Sequence, residues 1–231
     1  CIYSFFCFKS SIAQEPEVNE PLENLTVYGT KLQQSVENLG SSVSVLKADE
    51  IQALGSNYLI DSIATLPGVT VNQNGSFGGV ATVRIRGASS EQTLVVIDGV
   101  VVNDPTSPGG GYDFSRIDPS NIEQIEVLRG PQSTLWGTDA MGGVINIITK
   151  TAKKGSNKKL FSQIGSFNTF RGGAEFNKAT DKYNYRLAAT NISSDGISKA
   201  DRINGNDEKD GYDAKTMSAS GGMKFINGSQ L

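Results

Sequence analysis

The chain has 231 residues, a formal net charge of −3 and no histidine, and this length allows one or two domains with a real core. The Ser-His-Asp and Cys-His arrangements of nucleophilic catalysis both need histidine, and the only cysteines are Cys1 and Cys7 at the N-terminus. We therefore predict that the chain is not an enzyme. Residues 14–151 carry 7 Lys and Arg against 16 Asp and Glu. Nucleic acid needs a basic surface, so this acidic part argues against nucleic acid as a partner.

The N-terminus opens with the apolar run IYSFFCF at residues 2–8, followed by small residues at Ser11 and Ala13. This pattern is typical of the rear half of a secretory signal peptide, so we predict a partial signal peptide over residues 1–13. A buried strand is the alternative, but a charged polar segment follows at once. Both cysteines would leave with the leader, and an exported chain without disulfides suits a bacterial envelope.

Residues 14–30 form the next segment, acidic and proline-containing at first and therefore flexible. A short β-prone patch at residues 25–28, closed by Gly29, ends it. Beyond it, residues 31–151 predict a compact α+β domain with two short helices, over residues 49–54 and 59–66. Its predicted short strands cover residues 69–71, 82–86, 93–97, 122–128 and 144–149. Asp98-Gly99 predicts a tight hairpin after the third of these strands.

The composition changes near residue 150, because residues 152–231 carry 13 Lys and Arg against 8 Asp and Glu. The run YNYRLAATN places Tyr183 and Leu187 on one face of a strand and Arg186 on the other. This alternation is typical of transmembrane β-barrel strands, and a soluble sandwich gives the same pattern. The short turn KATDK and the long polar loop after residue 192 favour the barrel. We predict roughly four strands of a truncated outer-membrane barrel, since so few cannot close one.

Several stretches together resemble the plug domain of TonB-dependent outer-membrane receptors. They are LPGVTVNQNG, VRIRG, TLVVIDGVVVND and IEQIEVLRGPQSTLWGTDAMGGVINIITK, in this order over residues 25–150. Trp136-Gly137 departs mildly from the family's pattern. Within the family, NQNGSFGG and TDAMGGVINIIT are most similar to the sequences of vitamin B12 (cobalamin) receptors, although siderophore receptors share much of the same sequence. The resemblance implies an outer-membrane receptor for active uptake of cobalamin or, as the alternative, of a ferric siderophore or haem.

The resemblance also implies a TonB-binding segment, the TonB box, at Leu25, Thr26, Val27, Tyr28 and Gly29. In such receptors, the inner-membrane protein TonB grips this segment and uses the proton gradient to disturb the plug. An extended β-prone segment can add to a partner's sheet edge through backbone hydrogen bonds. The alternative is an ordinary first strand of the plug.

Two arginines, Arg86 and Arg129, each end a predicted strand beside a glycine. In the family, these arginines pair with glutamates of the barrel wall and lock the plug in place. A planar guanidinium suits this role because it donates two hydrogen bonds to one carboxylate. Local pairing with Glu123, Glu126 or Asp98 is the alternative.

The resemblance places residues 72–79 and 102–113 in apical loops that face the substrate. Their amides, hydroxyls and aromatic rings suit a large polar ligand, and plain surface loops are the alternative. The predicted ligand-binding residues are Asn74, Ser76, Phe77, Asn103, Asp104, Ser107 and Tyr112.

We predict no resident cofactor, and calcium is the one metal to weigh, because outer loops of the cobalamin receptor bind it. The stretch NGNDEKDGYD supplies Asp207, Asp210 and Asp213. It fails as an EF-hand because Met217 stands at the closing glutamate position, so a solvated loop is the favoured interpretation.

Two other classes compete with a receptor: a soluble periplasmic plug-like binding or signalling module, and a structural adhesin. The charge difference adds a hypothesis that the basic strands line the acidic plug, with Arg186 and Lys224 pointing inward. The alternative is that basic outer loops meet anionic lipopolysaccharide. Outer-membrane lipid, lipopolysaccharide, TonB and the nutrient are therefore the predicted partners.

Overall fold

A mixed five-stranded sheet forms the centre of the first domain. The computed structural model describes residues 26–29, 34–35, 41–56, 58–75, 78–106, 110–198, 205 and 208–223, so the predicted signal peptide lies outside it. The first-domain strands are β1 (Thr26–Val27), β2 (Gln34–Ser35), β3 (Ser42–Lys47), β4 (Val69–Gln73), β5 (Ala81–Ile85), β6 (Thr93–Ile97), β7 (Val100–Val101), β8 (Ile122–Arg129) and β9 (Gly143–Thr149). Its helices are α1 (Ala48–Ala53), α2 (Leu59–Ala64) and α3 (Ser133–Trp136).

The central sheet has the strand order β3-β8-β9-β6-β7, and β6 and β9 are its parallel pair. Two small antiparallel pairs, β1 with β2 and β4 with β5, stand beside it. The predicted hairpin at Asp98-Gly99 is confirmed: both residues have positive φ, 49° and 83°, as a tight primed turn requires. The Asp98 carboxylate also accepts hydrogen bonds from Thr149, which fixes the end of β9.

Both faces of this sheet are buried. On one face, alternate residues such as Val127 and Ile145 pack against α1, α2 and the β4-β5 pair. On the other face, Leu128 and Val144 pack around Val27, the second residue of β1. Burial on both faces explains why β9, GVINIIT, is a nearly continuous apolar run rather than an alternating one.

The second part of the chain is an antiparallel meander of four long strands in sequential order. They are β10 (Gly155–Gly165), β11 (Thr169–Ala179), β12 (Tyr183–Ile197) and β13 (Asp210–Met223), and they form an open sheet. The predicted alternation is confirmed, because Tyr183 and Leu187 are exposed on the outer face while Arg186 is buried on the inner face. Among the described residues, no helix is both long and apolar enough to cross a membrane.

The first domain packs on the inner face of this meander through charged and polar side chains. The Asp118 carboxylate lies 2.7 Å from Nη2 of Arg171 on β11 and also accepts a hydrogen bond from Thr190 on β12. Three residues later, the Asn121 amide oxygen accepts from Arg186 on β12 and from Ser218 on β13, the latter at 3.2 Å. We call these residues the seat (Asp118, Asn121, Arg171, Arg186, Thr190 and Ser218).

Every charge in the seat has a partner. Arg186 is only 2% exposed and also donates from Nε to Glu175, at 2.9 Å. Burial by itself raises the pKa of Asp118, but hydrogen bonds from Thr190 and from the Ser120 amide, together with the charge of Arg171, outweigh it and leave that pKa below its ordinary value. The hypothesis is thereby confirmed for Arg186, which points toward the first domain, while Lys224 lies outside the described residues.

We expect Asp118→Asn to lower the free energy of unfolding of the first domain by about 3 kcal/mol at neutral pH, because it leaves the buried Arg171 charge without a carboxylate. The lowered pKa means that the ion pair stabilises the folded state above the unfolded-state pKa of about 3.9 and loses this effect as the pH falls further. The difference between wild type and variant should therefore shrink below about pH 4.

Denaturant unfolding followed by Trp136 fluorescence measures this difference. Glu123→Gln is the matched control, since Glu123 pairs with Lys153 at 3.1 Å through a lysine that is 82% exposed. That exposed pair should contribute less than about 1 kcal/mol. Equal effects of the two substitutions would contradict the importance of the seat.

Candidate functional site

The segment predicted to bind TonB lies against the first domain, held by one carboxylate. Of its residues, Leu25 lies outside the described part, and Thr26 and Val27 form β1. The backbone N–H of Tyr28 lies 3.0 Å from both oxygens of Glu126, and that of Gly29 donates to Oε2 at 2.7 Å. Glu126 is fully buried on β8, so this stretch is fixed through its backbone.

Two further side chains complete the carboxylate's surroundings. Gln124 donates to Oε1 at 2.8 Å and Asn146 donates to Oε2 at 3.0 Å, so both oxygens are saturated by neutral N–H groups. From sequence, Glu126 was predicted only as an alternative local partner of an arginine. The feature of the sequence that could have indicated its role is a carboxylate inside the otherwise apolar stretch IEVL. Strand alternation places this carboxylate on the face of the sheet where Val27 packs.

At Gly29, the backbone of this segment lies in direct contact with the domain, and Trp136 binds it there. The indole Nε1–H of Trp136 donates to the Gly29 carbonyl oxygen at 2.7 Å. A Cβ at Gly29 would lie 2.6 Å from Cδ1 of Leu128 and 3.1 Å from Oε2 of Glu126. Only glycine therefore fits between the carboxylate and the core at this position.

Arg86 and Arg129 lie next to each other, beside Gly68. The guanidinium of Arg129 donates to the Pro67 carbonyl at 2.7 Å and to the hydroxyls of Ser42 and Ser44. Burial, and secondarily the charge of Arg86, lowers the pKa of Arg129. This pair of like charges is a site that a carboxylate would stabilise.

The alternative of local ion pairs is wrong for Arg129 within the described part of the chain. Glu123 pairs with Lys153, Glu126 binds backbone N–H groups, and Asp98 binds Thr149. Arg86 is exposed, and none of the ion pairs between described residues includes it. Its backbone takes a positive φ of 51°, which a non-glycine residue seldom adopts.

The apical loops are joined at their bases. The Asp113 carboxylate accepts a hydrogen bond from Ala81 N–H at 3.0 Å, and Asn74 N–H closes its own loop onto the Val80 carbonyl at 3.0 Å. Across the interface, Gly78 lies against the ring of Tyr212 on β13, so closely that a Cβ there would be 2.2 Å from that ring. The fold therefore gathers both loops at the end of β13 that follows the long loop.

Within these loops, the structure gives two predicted ligand residues a local role. The Asn103 side chain accepts from Val95 N–H at 2.7 Å and donates to the carbonyls of Thr93 and Gly110, so its amide organises the loop. Asp104 accepts from Thr106 in a tight turn.

The other predicted ligand residues divide between described and undescribed positions. Asn74 is exposed. Tyr112 is half-buried and packs edge-to-face on Phe114, with ring centroids 5.0 Å apart. Ser76, Phe77 and Ser107 lie outside the described residues. A ligand contact stays a prediction for each of these residues.

The predicted calcium ligands do not form a common site in the part of the chain that the structure describes. Asp210 and Asp213 stand three positions apart on β13, where successive side chains alternate, so they point to opposite faces. Asp207 lies outside the described part, and within that part no group of three or more His, Cys, Asp or Glu residues is close enough to hold a metal ion. A single site holding both Asp210 and Asp213 is therefore not formed by this strand.

Comparison with known proteins agrees with this architecture. A family model for the TonB-dependent Receptor Plug Domain matches residues 35–144. The vitamin B12 transporter BtuB of Vibrio vulnificus (strain YJ016) is 33% identical over 208 residues, covering 89% of this chain and 33% of that protein. The chain thus spans about a third of the length of this relative.

Solved structures show the same fold. The siderophore receptor PirA from Acinetobacter baumannii is 26% identical with a TM-score of 0.61, over 79% of this chain and 29% of that one. The ferripyoverdine receptor of the outer membrane of Pseudomonas aeruginosa shares the fold at 21% identity and a TM-score of 0.67, over 87% of this chain and 25% of that one. The chain belongs to the TonB-dependent outer-membrane receptors, with a plug domain followed by the first antiparallel strands of the barrel wall.

Proposed function

We propose that this chain is the plug and first wall strands of a receptor that takes up a scarce nutrient across the outer membrane with energy delivered by TonB. The observation that carries the proposal is the seat, which holds a folded domain against the inner face of a sheet whose outer face is apolar. That arrangement suits a stopper inside a membrane pore. Its function is transport rather than catalysis, in keeping with a chain that has no histidine.

The outer face of the meander supports placement in lipid. Leu160, Ile164 and Met217 are 83%, 88% and 85% exposed on this face. A contiguous apolar surface of this kind is unfavourable in water and favourable against lipid tails. This observation weighs against a soluble periplasmic module, while a contact with lipopolysaccharide stays a prediction.

For the ligand we propose cobalamin, with a ferric siderophore as the second candidate. Cobalamin is supported by relatives named as vitamin B12 transporters, the first at 33% identity along most of the chain. Siderophores are supported by solved receptors such as PirA, which is 26% identical. The joined apical loops would offer the half-buried ring of Tyr112 and the exposed amide of Asn74 to either ligand.

Binding to the full-length receptor in outer-membrane vesicles separates these candidates. We expect saturable binding of cyanocobalamin and no competition by a ferric siderophore. Tyr112→Ala should weaken that binding about tenfold, because it removes a rigid aromatic surface next to the loops. Tight siderophore binding without cyanocobalamin binding would transfer the proposal to the second candidate.

The segment from Leu25 to Gly29 is proposed to bind TonB by adding a strand to its sheet. We expect Leu25→Pro to abolish energised uptake and to leave ligand binding unchanged, since proline removes a backbone donor from the segment. Whole-cell uptake and vesicle binding, measured side by side, test both halves of this expectation. Normal uptake by the variant would remove the assignment of this segment.

The arginine pair is proposed to lock the plug to glutamates of the wall. Arg86→Ala and Arg129→Ala should loosen the plug and admit large antibiotics that the wild-type receptor excludes, because each leaves a buried carboxylate partner unpaired. Growth inhibition by vancomycin measures the leak. Arg84→Ala is the matched control, being an exposed arginine on β5, two residues before Arg86. Wild-type exclusion in both latch variants would end this proposal.

A further inference from the structure

Glu126 is a buried carboxylate bound only by neutral donors in the contacts that the described residues show. It is 0% exposed and receives N–H groups from Tyr28, Gly29, Gln124 and Asn146. A buried charge without a counter-charge is costly, and it depends on its hydrogen bonds for stability. Two of its four donors belong to the backbone of the N-terminal segment, so the carboxylate and the segment hold each other in place.

The hydrogen-bonding groups of that segment are largely occupied in this state. Thr26 and Val27 pair with β2, the N–H groups of Tyr28 and Gly29 bind Glu126, and the carbonyl of Gly29 binds Trp136. Strand addition to a partner's sheet requires free backbone donors and acceptors. The docked segment therefore cannot offer residues 28 and 29 to a partner until these bonds break.

We propose that Glu126 is a positioning residue for partner binding: its carboxylate docks residues 28–29 on the plug, and a strand-adding partner must compete with it for the same N–H groups. This inference rests on the proposed function, which makes that segment the one TonB binds. Trp136 assists by holding the Gly29 carbonyl, and the missing side chain of Gly29 permits the approach. We call these contacts of Glu126 and Trp136 with residues 28–29 the dock. Weakening the dock should free these backbone groups for the partner without changing the sequence of the segment itself.

Hydrogen exchange of the full-length receptor in detergent tests the dock without any partner. In Glu126→Gln, we expect the Tyr28 and Gly29 amides to exchange at least about tenfold faster than in wild type, because one amide oxygen replaces a charged acceptor with two oxygens. Trp136→Phe keeps an aromatic ring against the core cluster that includes Val27 but removes the indole donor, so it should give a smaller acceleration. Glu123→Gln, on the same strand but paired with the exposed Lys153 rather than with the segment, should give none.

Binding of the soluble periplasmic part of TonB supplies the second readout. We expect it to bind Glu126→Gln several-fold more tightly than wild type, because the competing carboxylate is weakened, while Glu123→Gln binds as wild type does. A role in general stability would not produce tighter binding. It would instead accelerate exchange throughout β8 and β9, and that result would overturn the inference.

The remaining outcomes separate the inference from the proposed function. Unchanged exchange at residues 28 and 29, or faster exchange without tighter TonB binding, would overturn the role of Glu126 and leave the TonB-binding segment standing. Absence of TonB binding to wild type and all variants, with exchange accelerated as expected, would overturn the proposed function instead.

Discussion

The ion pair between Asp118 and Arg171 determines how the two parts of the molecule meet. Asp118 stands just before β8, a strand with neighbours on both sides in the central sheet, so fixing this carboxylate on β11 orients the whole plug. Arg171, Thr190 and the Ser120 amide satisfy its oxygens, which offsets the cost of burial. Removing one partner of such a buried ion pair is strongly destabilising, but the intact pair adds little net stability over apolar packing. It therefore suits an interface that must be specific in orientation without being permanently fused.

Strand β8 connects the seat to the N-terminal segment. The seat lies at its start, Glu126 lies in its middle and Arg129 lies at its end. In the proposed receptor, release of the N-terminal segment removes two backbone donors from Glu126, in the middle of a strand whose start is anchored to the wall. Because β8 is hydrogen-bonded to both β3 and β9, a change at Glu126 acts on the central sheet rather than on a loop.

The polar residues of the candidate site show how far sequence reasoning reaches. Arg86 and Arg129 were predicted together, and the fold does bring them side by side at Gly68. Asn103 was predicted to face a ligand, but its amide holds the backbone of its own loop, a role that the same residue type fills equally well. β3 was not predicted, although SVSVLK alternates, because so short a run is ambiguous until its pairing with β8 is known.

The sequence by itself determined the elements whose signal is local. The alternation in β12, the Asp98-Gly99 turn and the apolar run of β9 follow from the geometry of a single strand or turn, which a short stretch of residues encodes completely. Only the tertiary structure decided which buried polar groups meet. Asp118 and Arg171 are 53 positions apart, and Tyr28 and Glu126 are 98 apart. No local pattern specifies such partners, because their choice depends on how the finished sheets pack.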